Sequence, residues 1–272
     1  MQPTGIITLT TDFGLSDSYV GIMKGVILRI APTARLIDIT HTIRPQDVQQ
    51  AAYMVQTYAR YFPTGTVHLV VVDPGVGSAR RAIAFETPES VFVGPDNGVL
   101  TAAWQDARAR WQPDLVQAVE LAEPRFWLPD VSSTFHGRDI FAPVAAHLAR
   151  GTPLAALGPS ITDVHEAVLG QPVLATDGSL QGRIVHIDYF GNCITNIMPQ
   201  HLERPGAEIV VRIGGVRIVG VRHTFADGSV GELLALVGST NHLEIAVRNG
   251  NAARTLGVTM GDPVRIEVHQ QK

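Results

Sequence analysis

The run from Thr66 to Val72, mostly β-branched and apolar, constrains this chain more than any other stretch. Lacking polar alternation, it reads as a strand buried on both faces, as in a parallel sheet covered by helices. It ends in Asp73 and passes through Pro74-Gly75-Val76-Gly77-Ser78-Ala79 into Arg80-Arg81, the only basic doublet in the sequence. Asp73 then stands at the carboxyl end of its strand, where open α/β sheets place their ligands. Two glycines let the loop backbone approach a ligand, Pro74 stiffens the exit, and Arg80 can fold back on the carboxylate. Beside this stands the plainer reading of a strand-end aspartate closing a turn, with both arginines solvated.

Around that strand the chain alternates strand and helix. Gly5 to Thr11 is a short buried strand ending at Asp12-Phe13-Gly14. Ser16 or Asp17 can cap a helix running to about Ile30, with Val20, Met23, Ile27 and Ile30 at helical spacing. Arg35 to Thr40 is a strand, and Pro45 to Tyr61 a helix opened by proline. Two short strands near 82–87 and 91–94 precede the turn Pro95-Asp96-Asn97-Gly98 and a helix from Val99. Strand material at 115–121 leads to a long loop, 126–139, and a helix from Ile140 to Arg150. Beyond about Gly158 the texture changes to short alternating strands punctuated by Gly191-Asn192, Gly214-Gly215, Asp227-Gly228 and Asn249-Gly250-Asn251. The expected architecture is an α/β domain over residues 1–165, its mainly parallel sheet covered by helices, and an all-β barrel or sandwich over 166–272.

Composition narrows the function. The 272 residues carry a formal charge of −4 and only two lysines, Lys24 and Lys272, which argues against a nucleic-acid partner. No apolar segment is long enough to span a membrane, and a soluble cytoplasmic protein is expected. One cysteine, Cys193, excludes an intrachain disulfide and a cysteine-ligated metal site. Phosphate-cradling loops are missing, because Gly75-Val76-Gly77 lacks the third glycine and no Gly-Lys-Ser/Thr follows. His136, in a polar loop beside Arg138 and Asp139, is a candidate acid/base group or an idle surface histidine. Ser132 or Ser133 near it suggests a hydrolase triad only weakly, since Gly-x-Ser-x-Gly is absent. Asp12 reads as a ribose-diol carboxylate or a helix cap. In the β region, Asn192 and Phe225 each stand on a turn and could read and stack a flat heterocycle, or simply close turns.

Six segments, taken in order, resemble one family: Thr11-Asp12-Phe13-Gly14; Val72 to Arg80; Pro95-Asp96-Asn97-Gly98; Phe135-His136-Gly137-Arg138-Asp139; Ile187 to Asn196; and Asn249-Gly250-Asn251-Ala252-Ala253. The set is similar to the S-adenosyl-L-methionine hydroxide adenosyltransferases, relatives of fluorinase and chlorinase, from about Ile6 to Val268. That resemblance implies an N-terminal α/β domain, a C-terminal β-barrel, and displacement of methionine from S-adenosylmethionine by attack at ribose C5′. It implies the hydrolase branch, with Asp73, Arg80 and His136 as the catalytic set, because halogenases carry tyrosine at the Asp73 position. It assigns Asp12 to the ribose diol, Asn192, Phe225, Asn251 and Ala252 to adenine, Asp188 to the methionine ammonium and Ser239 to its carboxylate. Gln46 stands where halogenases have a tryptophan, and Thr240-Asn241 where an arginine follows the serine.

The implied chemistry needs an activated water rather than help for the leaving group, since a sulfonium already departs readily. Asp73 would orient that water and accept its proton, and His136, starting near about 6.5, would carry the proton onward. No metal or cofactor is expected, S-adenosylmethionine being the small-molecule substrate. The resemblance also implies a homotrimer with each site built between two subunits. A halide-using transferase and a non-catalytic S-adenosylmethionine or adenosine sensor are the competing expectations.

Overall fold

The computed structural model describes residues 2–168, 170–203 and 207–270. The chain divides into two compact units, Met1–Leu169 and Gly170–Lys272.

The first unit is built on strands β1 (Ile6–Thr11), β2 (Arg35–Thr40), β3 (Thr66–Val71), β4 (Ala82–Glu86), β5 (Ser90–Pro95), β6 (Gln117–Glu120) and β7 (Ser160–Ile161). They form one sheet in the order β2-β1-β3-β5-β4-β6-β7. The pairs among β2, β1, β3 and β5 are parallel, and those from β5 through β4 and β6 to β7 are antiparallel. The expected double-sided burial of β3 is borne out. Val67, Leu69 and Val71 pack into one core with Met23, Ile27, Phe141 and Ala145. Val70 and Val72 pack into a second with Val55, Phe85, Leu100 and Trp104. Helices α1 (Tyr19–Ile30) and α4 (Ala142–Ala149) supply the first core, α2 (Val48–Tyr58) and α3 (Thr101–Arg110) the second. β1 connects through α1 to β2 on one side, and β2 connects through α2 to β3 on the other side of β1. The strand order therefore reverses between β1 and β3, the point at whose carboxyl ends open α/β sheets place ligands.

Helix boundaries differ from the sequence expectation where the chain leaves the carboxyl ends of β1 and β2. α1 starts at Tyr19, not near Ser16; the Gly14 N–H is held by the His41 carbonyl at 2.7 Å, so residues 12–18 stay irregular. α2 starts at Val48 because Gln46 adopts φ 67°, outside the helical region, with Asp47 as the cap that accepts from the Gln50 N–H. Its last turn, Ala59–Tyr61, is a separate 3₁₀ segment.

The strands of the second unit pair antiparallel with one another: β8 (Val173–Leu174), β9 (Leu180–Ile187), β10 (Cys193–Thr195), β11 (Ala207–Ile213), β12 (Val216–Val219), β13 (Leu233–Val237), β14 (Leu243–Val247) and β15 (Pro263–Gln270). The sheet runs β12-β11-β15-β9-β10-β14-β13, with β8 added to β9. Arg222, just past β12, bridges to Leu236 in β13, so the sheet curls nearly into a barrel around Ile184, Val211, Ile245 and Ile266. Two short helices, α5 (Pro199–Leu202) and α6 (Ala252–Leu256), interrupt what the sequence suggested was helix-free. Among the described residues no helix is long and apolar enough to cross a membrane.

Candidate active site

Register places the first two acids. Thr11 pairs with Val71 across β1 and β3, so Asp12 and Asp73 leave adjacent strands at the same end of the sheet. Asp12 is fixed from both flanks. Thr11 Oγ1 lies 2.8 Å from His41 Nδ1, and Asp12 Oδ2 accepts the Gln46 N–H at 2.7 Å. The odd backbone of Gln46 thus serves the acid rather than the helix.

Asp73, Arg80 and His136 meet directly. Arg80 Nε stands 3.0 Å from each Asp73 oxygen, and Nη2 donates to Oδ2 at 2.6 Å. The same Nη2 lies 2.7 Å from His136 Nδ1. Both members of the ion pair are largely shielded, with side-chain exposures of 5% for Asp73 and 10% for Arg80. Arg80 also lies over the Phe141 ring, 5.3 Å from its centroid. A guanidinium has only donors, so His136 Nδ1 must be the acceptor, and the neutral ring carries its proton on Nε2. Burial, and next the Arg80 charge, hold His136 below the ordinary histidine value, against the opposing pull of Asp73 and Asp139.

Two loops carry these groups and brace each other. Gly77 has φ 76°, and a methyl group there would overlap the Ser133 carbonyl oxygen, so glycine is required where the loop after β3 meets the loop before α4. The second loop is tied from below by Asp139, fully buried, which accepts from the Ser132 N–H at 2.8 Å and from Arg138 Nε at 2.6 Å. Burial raises the Asp139 carboxyl, but Arg138 and Ser132 together bring it below its usual value. Residues Gly137–Phe141 form one π-helical turn between His136 and α4, an irregularity common at functional sites. Ser132 Oγ accepts from the Phe135 N–H, and Ser133 meets Gly77 through its backbone; neither makes a triad with His136. Asp139 is a positioning residue that sequence reasoning passed over, although its place three residues after His136 was visible.

In the second unit the Asp188–Asn192 turn is self-contained. Asp188 accepts from the Asn192 N–H at 2.8 Å and from its side-chain amide at 2.9 Å. Asn251 caps α6 by accepting from the Arg254 N–H, and the Ala253 N–H donates to the Gly191 carbonyl, which brings Asn251 and Ala252 beside the turn. Ser239 is exposed on the turn between β13 and β14. Phe225 opens a separate 3₁₀ turn and is 43% exposed. Among the described residues no group of three or more His, Cys, Asp or Glu could hold a metal ion.

The family models for the SAM hydroxide adenosyltransferase N-terminal and C-terminal domains match residues 7–158 and 182–265. This chain belongs to the SAM hydroxide adenosyltransferase family. Among relatives of the family, the (R)-S-adenosyl-L-methionine hydrolase of Salinispora tropica is 44% identical, covering 98% of this chain and 99% of its own. The protein of the same name from Thermus thermophilus is 41% identical, over 94% and 97%. The fluorinase of Nocardia brasiliensis is more distant, at 28% over 97% of each. Among solved structures, an uncharacterized conserved protein from Thermotoga maritima is 38% identical, with a TM-score of 0.85 over 96% of this chain and 99% of its own.

Proposed function

We propose that this protein hydrolyses S-adenosyl-L-methionine to adenosine and L-methionine, by attack of water or hydroxide at the ribose C5′. The observation that carries this reading is Arg80 joined to both Asp73 and His136 at the carboxyl end of β3. A halide nucleophile has no proton to lose and no use for such a set. The names borne by relatives above 40% identity support the same reading.

In the reaction a C5′–O bond forms as the C5′–S bond breaks, and its electron pair returns sulfur to a neutral thioether. Asp73 aligns the water and receives its proton. Arg80 holds Asp73 in place with three N–H contacts, and His136 holds Arg80. With Nδ1 engaged, His136 can take up the proton in turn only by releasing Arg80. Hydroxide meeting a sulfonium removes charge, so a water-poor pocket accelerates the step relative to bulk water. Asp12 is proposed to hold the ribose diol, Asn192, Phe225, Asn251 and Ala252 the adenine, and Asp188 and Ser239 the amino-acid end. Neither metal nor cofactor has a part in this scheme.

We further propose a homotrimer whose sites draw on two chains, in keeping with large apolar side chains left exposed in each unit: Leu15 and Tyr19 in the first, Tyr189 and Phe190 in the second. Incubation with S-adenosylmethionine and chloride in ¹⁸O-labelled water tests the reaction. Adenosine labelled at the 5′-oxygen is expected. A halogenated nucleoside would make it a halogenase, and tight binding without turnover a sensor; either outcome overturns the hydrolase reading.

A further inference from the structure

We propose that Glu244 is a second carboxylate of the subsite that receives the primary ammonium of the substrate, acting beside Asp188. The inference deepens the proposed function and rests on it for the identity of the ligand. Simple alternation along Leu243-Glu244-Ile245 would turn the acid outward to solvent on a half-exposed strand. Instead Glu244 is 9% exposed. Register sets it beside Ile194 on one flank and Leu236 on the other, with His186 beyond Ile194, on the face opposite the Cys193–Ile245 core.

Among the described residues nothing offsets the Glu244 charge. Among the described residues no hydrogen-bond donor and no cation reaches the Glu244 carboxyl. Among the described residues the Asp188 carboxylate accepts hydrogen bonds from the neutral N–H groups of Asn192, and the nearby His186 is held below the ordinary histidine value by burial, against the pull of Asp188. Burial, and next the neighbouring Asp188, push the Glu244 carboxyl above the ordinary glutamate range. A sheltered pair of acids with no cation between them is costly as a structural feature, since a hydrophobic residue could fill the same place. The cost turns into affinity if a cation arrives with the ligand. A primary ammonium offers three N–H donors and one positive charge, which suits two carboxylates.

The aim of the side chain agrees. Gly238 opens the β13–β14 turn that carries Ser239, and a methyl group at Gly238 would overlap Glu244 Oε2. The carboxylate therefore lies against the turn proposed to meet the amino-acid end, within electrostatic reach of the Asp188 turn. That placement selects ligands by their ammonium and not by their nucleoside.

The test compares two ligands that share the nucleoside, adenosine and S-adenosyl-L-homocysteine; the second carries the ammonium and is not consumed. Glu244→Gln keeps the shape and removes the charge. Calorimetry should show S-adenosylhomocysteine weakened about tenfold or more, the scale of one lost charged hydrogen bond, and adenosine unchanged. Glu244→Asp, which keeps the charge, should bind S-adenosylhomocysteine better than the glutamine variant. In turnover, KM for S-adenosylmethionine should rise with kcat near wild type. Unchanged affinity for S-adenosylhomocysteine in Glu244→Gln, or equal losses for both ligands, would overturn the assignment, the second outcome marking a purely structural residue. The hydrolase reading fails separately, if the wild type binds S-adenosylhomocysteine and yet produces no adenosine from S-adenosylmethionine.

Discussion

Arg80 is the residue through which the proposed chemistry can be taken apart. Its Nη2 serves Asp73 and His136 together, so the two neighbours should answer differently to substitution. Asp73→Asn keeps an oxygen for Arg80 but cannot receive a proton; turnover should fall on the order of a hundredfold or more with the fold intact, as for loss of a positioned base. His136→Ala should also lose activity, whereas His136→Gln, whose amide oxygen can still accept from Arg80, should recover part of it. Equal loss in both His136 variants would point instead to His136 as the proton acceptor. The pH profile carries the same question. Protonation of His136 forfeits the bond to Arg80, and its folded value lies below about 6.5, so activity should hold through that pH and decline only in more acidic solution. An acidic limb centred at or above about 6.5 would contradict this arrangement.

At the scale of elements, the site depends on two loops that share no sequence proximity. Gly77→Ala forces a side chain onto the Ser133 carbonyl at a backbone φ of 76°. It should cost about 1–3 kcal/mol of stability and separate Arg80 from His136. Denaturant midpoints and kcat should both drop; a midpoint unchanged from wild type would mean the loops do not brace each other. These elements also show what could be read before the structure. The unbroken apolar run announced β3 as doubly buried and placed Asp73 at its end, and the short buried strand Gly5 to Thr11 placed Asp12 in the same way. The helix starts could not be placed, because Gln46 and Gly14 bend the backbone for the sake of the Asp12 turn, and local propensity does not register a distant hydrogen-bond partner. Glu244 escaped for a related reason: strand alternation assigns a face but not what covers it, and Asp188 reaches it from a segment 56 positions away (244 − 188). The Arg80–His136 contact likewise spans 56 positions, and only the resemblance to a family linked the two in advance.

At the scale of the whole molecule, the proposed site residues are divided between the two units: Asp12, Asp73 and His136 lie within Met1–Leu169, and Asp188, Asn192 and Phe225 within Gly170–Lys272. Ligand sites favour junctions, and a heterologous contact that closes into a ring yields identical sites, each drawing on two chains. If the proposed trimer is built this way, two dead proteins can repair each other. Asp73→Ala removes the acid proposed to activate water from the first unit, and Asn192→Ala disables the turn proposed to read adenine in the second. Each alone should be inactive or nearly so. Unfolded together and refolded in equal amounts, they should assemble mixed rings in which about a quarter of junctions are wild type on both sides, by independent choice of the two contributing chains. The recovered rate should therefore approach a quarter of the wild-type rate per site. Were each site contained within one chain, every site would keep one lesion however the subunits mixed. Activity no greater than that of the two variants measured separately, with mixed rings confirmed by mass, would reject the shared site.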